Sequence, residues 1–391
     1  MNLAKIQEAL AKGGLDGWLF FDHHIRDPLA YRVLGLSTAH SPTRRWYYFI
    51  PAKGEPRKVV HRIEPGMLDS LPGDAVRYAG WDSQKGALRT ILGGAKSIAM
   101  QYSPDCAVPY VAMVDAGTVE LVRGLGHEIR TSADLVQQFE AVWDSEQFGM
   151  HVEAGKRVDQ VRAAAFRKIG ESLTSGEVIT EYAIQQFIRE SFTREGMVTD
   201  HGPIVAVNAN ASNPHYEPTS DSSLPIHRGD LVLIDLWAKL DQPRAVYYDV
   251  TWTGVCRPDI PDRIQEVFQV VTGARDAAVA KVQDSVKAGQ VLRGYEVDDA
   301  ARAYIGKGGF GEYFFHRTGH SIGEQVHGTG ANMDNLETHD ERLLIPQTCF
   351  SIEPGIYLPE FGIRSEVNVF VETANAIVTG EIQRELIRIS A

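Results

Sequence analysis

Leu231-Val232-Leu233-Ile234-Asp235-Leu236-Trp237 has the composition of a buried strand, yet a carboxylate sits near its centre. Tyr247-Tyr248-Asp249-Val250-Thr251-Trp252 repeats the anomaly, again with one aspartate inside a β-rich apolar run. Further on, Phe350-Ser351-Ile352 leads into Glu353, and Glu366 leads into Val367-Asn368-Val369-Phe370-Val371. His320 closes His316-Arg317-Thr318-Gly319-His320. Burying an isolated carboxylate costs more than a fold can spare. If these segments pair in one sheet, their negative charges converge and would raise one another's pKa values. A positive charge must therefore sit among them, and two divalent metal ions would balance four carboxylates and one neutral imidazole.

Strand periodicity suggests where the acids point. Asp249 shares a face with Tyr247 and Thr251, and Glu366 shares one with Asn368 and Phe370, opposite Val367, Val369 and Val371. This pattern predicts a sheet with helices behind it and a cleft in front. Oxygen donors with one imidazole suit Mn²⁺, Co²⁺, Zn²⁺ or Fe²⁺. Two such ions about 3.5–4 Å apart would hold a bridging water as hydroxide and polarise a neighbouring carbonyl, which is hydrolytic chemistry.

Working outward, residues 262–287 read as a long helix opened by Pro261 at its first position. Further helices are expected over 145–170, 180–194 and 296–305, so helices segregate from a largely antiparallel sheet in an α+β domain. Residues 1 to about 140 alternate strand and helix signals. Gly17–Phe21 and Ser97–Met100 are strand candidates, and Arg45–Ile50 with Lys58–Ile63 form a hairpin turned by Ala52–Glu55. A length of 391 residues fits two domains, here 1–142 and 143–391.

The charge balance is 39 Lys plus Arg against 51 Asp plus Glu, a net −12 with no basic block. That argues against nucleic acid or an anionic membrane as partner. Cys106, Cys256 and Cys349 form no C-x-x-C pair, which fits a reducing compartment. Residues 1–10 read as an amphipathic helix rather than a secretory signal, and no apolar run approaches the roughly 20 residues that span a bilayer. A soluble cytoplasmic protein is the expectation. Gly306-Lys307-Gly308-Gly309-Phe310-Gly311 lacks the order of a phosphate loop and reads as a turn before a strand at His316. His23, His24 and His201 read as structural or surface residues.

The ordered set Asp, Asp, His, Glu, Glu resembles the pita-bread metallopeptidases, which include prolidase, aminopeptidase P and methionine aminopeptidase. The motifs that carry the likeness are Gly319-His320-Ser321-Ile322-Gly323, Ser351-Ile352-Glu353-Pro354-Gly355-Ile356-Tyr357 and Gly362-Ile363-Arg364-Ser365-Glu366. Asn213-Pro214-His215-Tyr216 is similar to the segment supplying a substrate-side histidine. Tyr47–Pro56 is similar to the creatinase-type N-terminal domain. The resemblance implies a C-terminal pita-bread fold preceded by a smaller α/β creatinase-type domain.

It further implies that Asp249 and Glu366 bridge two metal ions, Mn²⁺ foremost, that Asp235 holds one ion, and that His320 and Glu353 complete the other. His215 and His327 would contact the substrate and the tetrahedral intermediate. Arg364 would bind substrate or support the ligands, and Glu353 would also relay protons. His316 is a candidate lining residue of the same cleft. The implied activity is cleavage of an N-terminal Xaa-Pro or related bond in dipeptides or short peptides, by a homodimer.

Three departures stand out. Gly328-Thr329-Gly330 follows His327 where prolidase-like chains read His-Glu-x-Pro, which loosens the inference to proline. The two aspartates are somewhat farther apart than usual, with Lys239–Arg244 read as an inserted hairpin tip, and Leu344-Ile345-Pro346-Gln347 lacks the usual glycine. The alternatives are a creatinase-like, metal-independent C–N hydrolase and a peptide-binding homologue without catalysis.

Overall fold

Trp18 and Phe20 pack against one set of helices and Leu19 and Phe21 against another, because successive strand residues face opposite ways. Gly17–Asp22 is buried along its whole length as the central strand of a six-stranded sheet. The computed structural model describes residues 1–39 and 41–389. They form two compact units, Met1–Glu140 and Ala141–Ala391. In the first unit the sheet order is Asp74–Tyr78, Arg57–His61, Trp46–Pro51, Gly17–Asp22, Ser97–Met100, Glu128–Thr131. Trp46–Pro51 runs antiparallel to both neighbours, and the remaining pairs are parallel. Helices Leu3–Lys12 and Pro28–Leu34 cover one face, and Trp81–Leu92 with Ala116–Gly124 covers the other.

In the second unit, Leu231–Leu240 is the centre of a five-stranded sheet, antiparallel to Tyr248–Val255, Ile204–Val207 and Met197–Val198. A four-stranded sheet follows in the order Ser321–Ile322, Cys349–Ile352, Val367–Val371, Ala376–Thr379. Gly355–Tyr357 and Gly362–Arg364 form a separate ribbon. Val232, Ile234 and Leu236 face helices Ser145–Ser175 and Glu181–Arg194, while Leu231 and Leu233 face the other way. Asp235 therefore points to the side where the second sheet and helices Asp262–Lys287 and Gly294–Lys307 lie.

Several local expectations are corrected. The first helix runs on to Ser175, where Gly176 ends it at φ 78°. Pro261 is the N-cap of Asp262–Lys287 rather than its first residue. No strand forms at His316; a short 3₁₀ turn, Gly311–Tyr313, precedes an irregular stretch, and pairing resumes at Ser321–Ile322. Lys239 and Leu240 belong to the strand, so the exposed hairpin tip is only residues 241–244.

Candidate metal centre

Register brings the two aspartates together. Asp235 lies opposite Thr251, and Asp249 opposite Trp237, so the carboxylates are diagonal neighbours on one face. The second sheet supplies the rest: Glu353 follows Cys349–Ile352, and Glu366 immediately precedes Val367–Val371. Oxygen and nitrogen atoms of Asp249, His320 and Glu366 lie within 4.8 Å of one another. His320 Nε2 is 3.6 Å from Asp249 Oδ2 and 3.5 Å from Glu353 Oε1. Arg364 Nη2 donates to Asp235 Oδ2 at 2.5 Å. The five sequence-selected candidates thus converge, although they come from strands and loops far apart in the chain.

The donor set fits divalent cations. Asp235 Oδ1, Asp249 Oδ1 and Glu366 Oε1 are all buried and accept no hydrogen bond from any described residue. Orphaned carboxylate oxygens in one cluster are costly unless a cation meets them. Without that cation, burial first and the charge of Asp235 second push the Asp249 carboxyl well above its usual range. Burial and then Asp249 do the same to Glu366. Glu353 is raised by burial, with His320 opposing. His320 is lowered by burial, which keeps its ring neutral. Its Nδ1 donates to the Ser321 carbonyl at 3.1 Å, leaving the Nε2 lone pair turned towards the carboxylates.

A set of hydrogen bonds that sequence reasoning did not assign holds these groups in place. Thr251 Oγ1 donates to Glu366 Oε2 at 2.9 Å and accepts from Arg364 Nε at 3.0 Å. Ser351 Oγ accepts the His320 amide at 2.9 Å and donates to Glu353 Oε1 at 3.2 Å. The Tyr357 hydroxyl accepts from Arg364 Nη1 at 3.1 Å and bonds His316 Nε2 at 2.6 Å. Since His316 Nδ1 donates to the Arg317 carbonyl, Nε2 is the acceptor in that last bond. Burial, then Arg364, lowers His316 to about 3, so it stays uncharged. Polar residues at alternate positions of apolar strands were the available signal for Thr251. Ser351 and Tyr357 lie within the Ser351–Tyr357 motif, where the neighbouring Glu353 is the stronger signal.

His327 stacks edge-on against His320, with ring centroids 4.3 Å apart. Its pKa falls to about 2, first because it and the adjacent His320 imidazole oppose being protonated together and then through burial, with Arg317, His215 and His201 adding to the effect. His215 is exposed on a turn, where its amide donates to Asn213 Oδ1 at 3.1 Å. His201 is exposed beside Asp200. The glycines after His327 have a packing reason. A Cβ on Gly328 would meet Ser321 Oγ at 2.8 Å, and one on Gly330 would meet it at 2.7 Å. The Gly328 amide bonds the Ser321 carbonyl at 2.6 Å, and the Gly330 amide bonds Ser321 Oγ at 2.9 Å.

A mixed α+β unit with carboxylates and one imidazole gathered between its sheets defines the pita-bread metallopeptidase class. Residues 150–373 match the model of metallopeptidase family M24, more than half of the chain, and the chain belongs to that family. It is 28% identical to "Probable dipeptidase PepE" of Mycobacterium tuberculosis across 99% of this chain and 95% of that one. The Xaa-Pro dipeptidase of Lactobacillus delbrueckii subsp. lactis is 31% identical over 220 residues, covering 55% of this chain and 53% of the relative. Among solved structures, dipeptidase PepE from Mycobacterium ulcerans superposes with a TM-score of 0.73 at 25% identity, covering 100% of this chain and 97% of that one. The prolidase from Pyrococcus horikoshii OT3 shares the fold with a TM-score of 0.63 at 24% identity, covering 98% and 99%. Among the described residues, no helix is long and apolar enough to cross a membrane.

Proposed function

We propose that this chain is a dinuclear metal-dependent peptidase that cleaves the N-terminal Xaa-Pro, or related, bond of dipeptides and short peptides. The observation that carries the reading is the buried cluster in which Asp235, Asp249 and Glu366 each keep one oxygen without a hydrogen-bond partner. Asp249 and Glu366 would be shared by both ions, Asp235 would hold one, and His320 with Glu353 the other. Two bound ions, Mn²⁺ by preference, supply Lewis acidity and a water that ionises near neutral pH. Arg364 fixes Asp235 and Thr251 from behind, and Thr251 orients Glu366. His215 and His327 would bind the substrate carbonyl region, and a donor aimed at a developing oxyanion contributes about 3 kcal/mol. Glu353, less enclosed than the other carboxylates, would move the proton to the departing amine.

Names of relatives support a short-peptide substrate: one is called a dipeptidase and another an Xaa-Pro dipeptidase. The loop after His327 lacks the acid and proline of prolidase-like chains, which favours a wider choice than proline alone. The same reading assigns residues 1–142 to a creatinase-type domain and 143–391 to the catalytic domain, in a cytoplasmic homodimer. The test is metal analysis with product analysis on Gly-Pro, Ala-Pro-Ala and Ala-Ala-Ala under added Mn²⁺, Co²⁺ or Zn²⁺. Substoichiometric metal with no turnover under any of them would sink the proposal.

A further inference from the structure

The first unit carries a cavity of about 810 Å³ lined by His23, Arg26, Arg44, Arg45, Trp81 and Asp115, among others. It opens at one edge of the six-stranded sheet. Gly17–Asp22, Arg57–His61 and Asp74–Tyr78 all end there, and the antiparallel Trp46–Pro51 begins there. Helices Trp81–Leu92 and Ala116–Gly124 start at the same edge, with Trp81, Gly117 and Thr118 in the cavity wall. A crevice beyond the carboxyl ends of parallel strands, facing helix N-termini, is where open α/β sheets bind ligands. Helix N-termini carry partial positive charge, so the ligand class they favour is anionic.

Charge in the wall agrees. Three exposed arginines, Arg26, Arg44 and Arg45, border this crevice on a chain whose net charge is −12. Among the described residues, no carboxylate pairs with the guanidinium of Arg26 or Arg45. Arg44 Nη1 turns to its own neighbour, the Thr43 carbonyl, at 3.0 Å. The nearby acids keep their charge, Asp115 in the wall itself, but their oxygens accept backbone amides rather than the arginines. Asp115 caps its helix through the Thr118 amide at 2.9 Å, and Glu64 accepts from the amides of Thr43 and Arg44. His23 is held below its usual pKa by burial first, then by cationic neighbours that include Arg26 and Arg45.

The loop presenting His23 and Arg26 is built rather than slack. Asp22 accepts the amides of Ile25, Arg26 and Asp27 at 2.9, 2.6 and 3.0 Å. His24 and Ile25 are both held at positive φ, 66° and 55°, a conformation that a β-branched residue adopts only under constraint. His23, a structural or surface residue on sequence grounds, lies in the wall of this cavity.

We propose that this crevice binds a small molecule bearing phosphate or carboxylate groups, held by Arg26 and Arg45. The inference stands apart from the peptidase reading and uses none of its residues. The full-length protein, metal-loaded in wild type and R26A/R45A and metal-free in Asp249→Ala, is titrated calorimetrically with inorganic pyrophosphate and, separately, with citrate. The expected result is saturable binding of at least one probe that is about tenfold or more weaker in R26A/R45A and unchanged in Asp249→Ala. Which probe binds decides between phosphate and carboxylate. Equal affinity in wild type and R26A/R45A overturns the proposal, as does binding lost only in Asp249→Ala, which would put the anion at the metal centre. Failure of both probes to bind wild type at about 10 mM, weaker than millimolar affinity, overturns it too. A circular-dichroism spectrum matching wild type shows that R26A/R45A is folded.

Discussion

Asn368 takes both backbone polar groups of Asp249: its side-chain nitrogen donates to the Asp249 carbonyl at 2.6 Å, and its oxygen accepts the Asp249 amide at 3.3 Å. Among the described residues, Tyr248–Val255 pairs with another strand on this side only at Gly254 and Val255, so an unpaired backbone edge faces the second sheet. Side chains and loops close that edge in turn. The Glu366 amide bonds the Thr251 carbonyl, and Gln383 takes both backbone groups of Thr253. The junction that aligns Asp249 with Glu366 is therefore made of side-chain amides as much as of strand pairing.

Replacing Asn368 by Ala should destabilise the protein by on the order of 3 kcal/mol, since it strands a buried donor and a buried acceptor. It should also weaken metal affinity, because Asp249 loses its backbone clamp. Urea unfolding and metal titration measure the two effects. Wild-type values in both would mean that the clamp is incidental.

Asp249→Ala should lose both metal ions and all turnover if this carboxylate is shared by both. Elemental analysis and a peptide assay decide it. A variant that keeps full turnover contradicts the assignment.

Metal-free protein should lose stability as pH rises. Asp249, Glu353 and Glu366 titrate above their usual range when no cation is present, so the folded state holds protons that the unfolded chain has released. Their protonated form supports folding fully below about pH 4, and that support declines as pH climbs towards the raised folded values. Thermal melts of chelated protein between pH 5 and pH 8 (roughly, the range where such carboxyls part from solution behaviour) should show a falling midpoint. Asp249→Asn should flatten the slope. A midpoint that rises with pH would mean that the carboxyls stay ionised without metal.

His215→Ala and His327→Ala should retain metal and lose about 10²-fold or more in kcat/KM, the scale for removing a transition-state donor. Since His327 is held neutral by His320 and burial, its loss should leave the acid limb of the pH–rate profile in place. Unchanged rates in both variants would mean that the substrate lies elsewhere.

Gly319→Ala should weaken metal binding by about tenfold or more. A Cβ there would stand 1.9 Å from the Ser351 carbonyl oxygen, which only backbone displacement can relieve, and His320 is the next residue. Displacing backbone in a packed site costs about 1–3 kcal/mol or more. Wild-type metal content in a folded Gly319→Ala protein would show that the loop shifts freely.

The ligand candidates were legible because an acid inside an apolar strand is chemically anomalous wherever the strand ends up. Asp235, Asp249 and Glu366 could be picked out by that contradiction, and the strands around Gly17, Ser97, Leu231 and Tyr248 by their composition. His316 was harder to place, since a Gly-rich approach and a polar run carry no period, and the expected strand is an irregular segment.

Local chemistry was enough to mark the groups that need a cation, because residue type and strand period are written along the chain. Their convergence was not. The diagonal placement of Asp235 and Asp249 depends on pairing register. The hold of Asn368 and Gln383 on a bare strand edge, the reach of Arg364 to Asp235, and the arginine-lined crevice of the first unit depend on how separate elements pack. Contacts between residues over a hundred positions apart leave no periodic trace, because they form only when the rest of the fold meets the entropic cost of closing the chain between them.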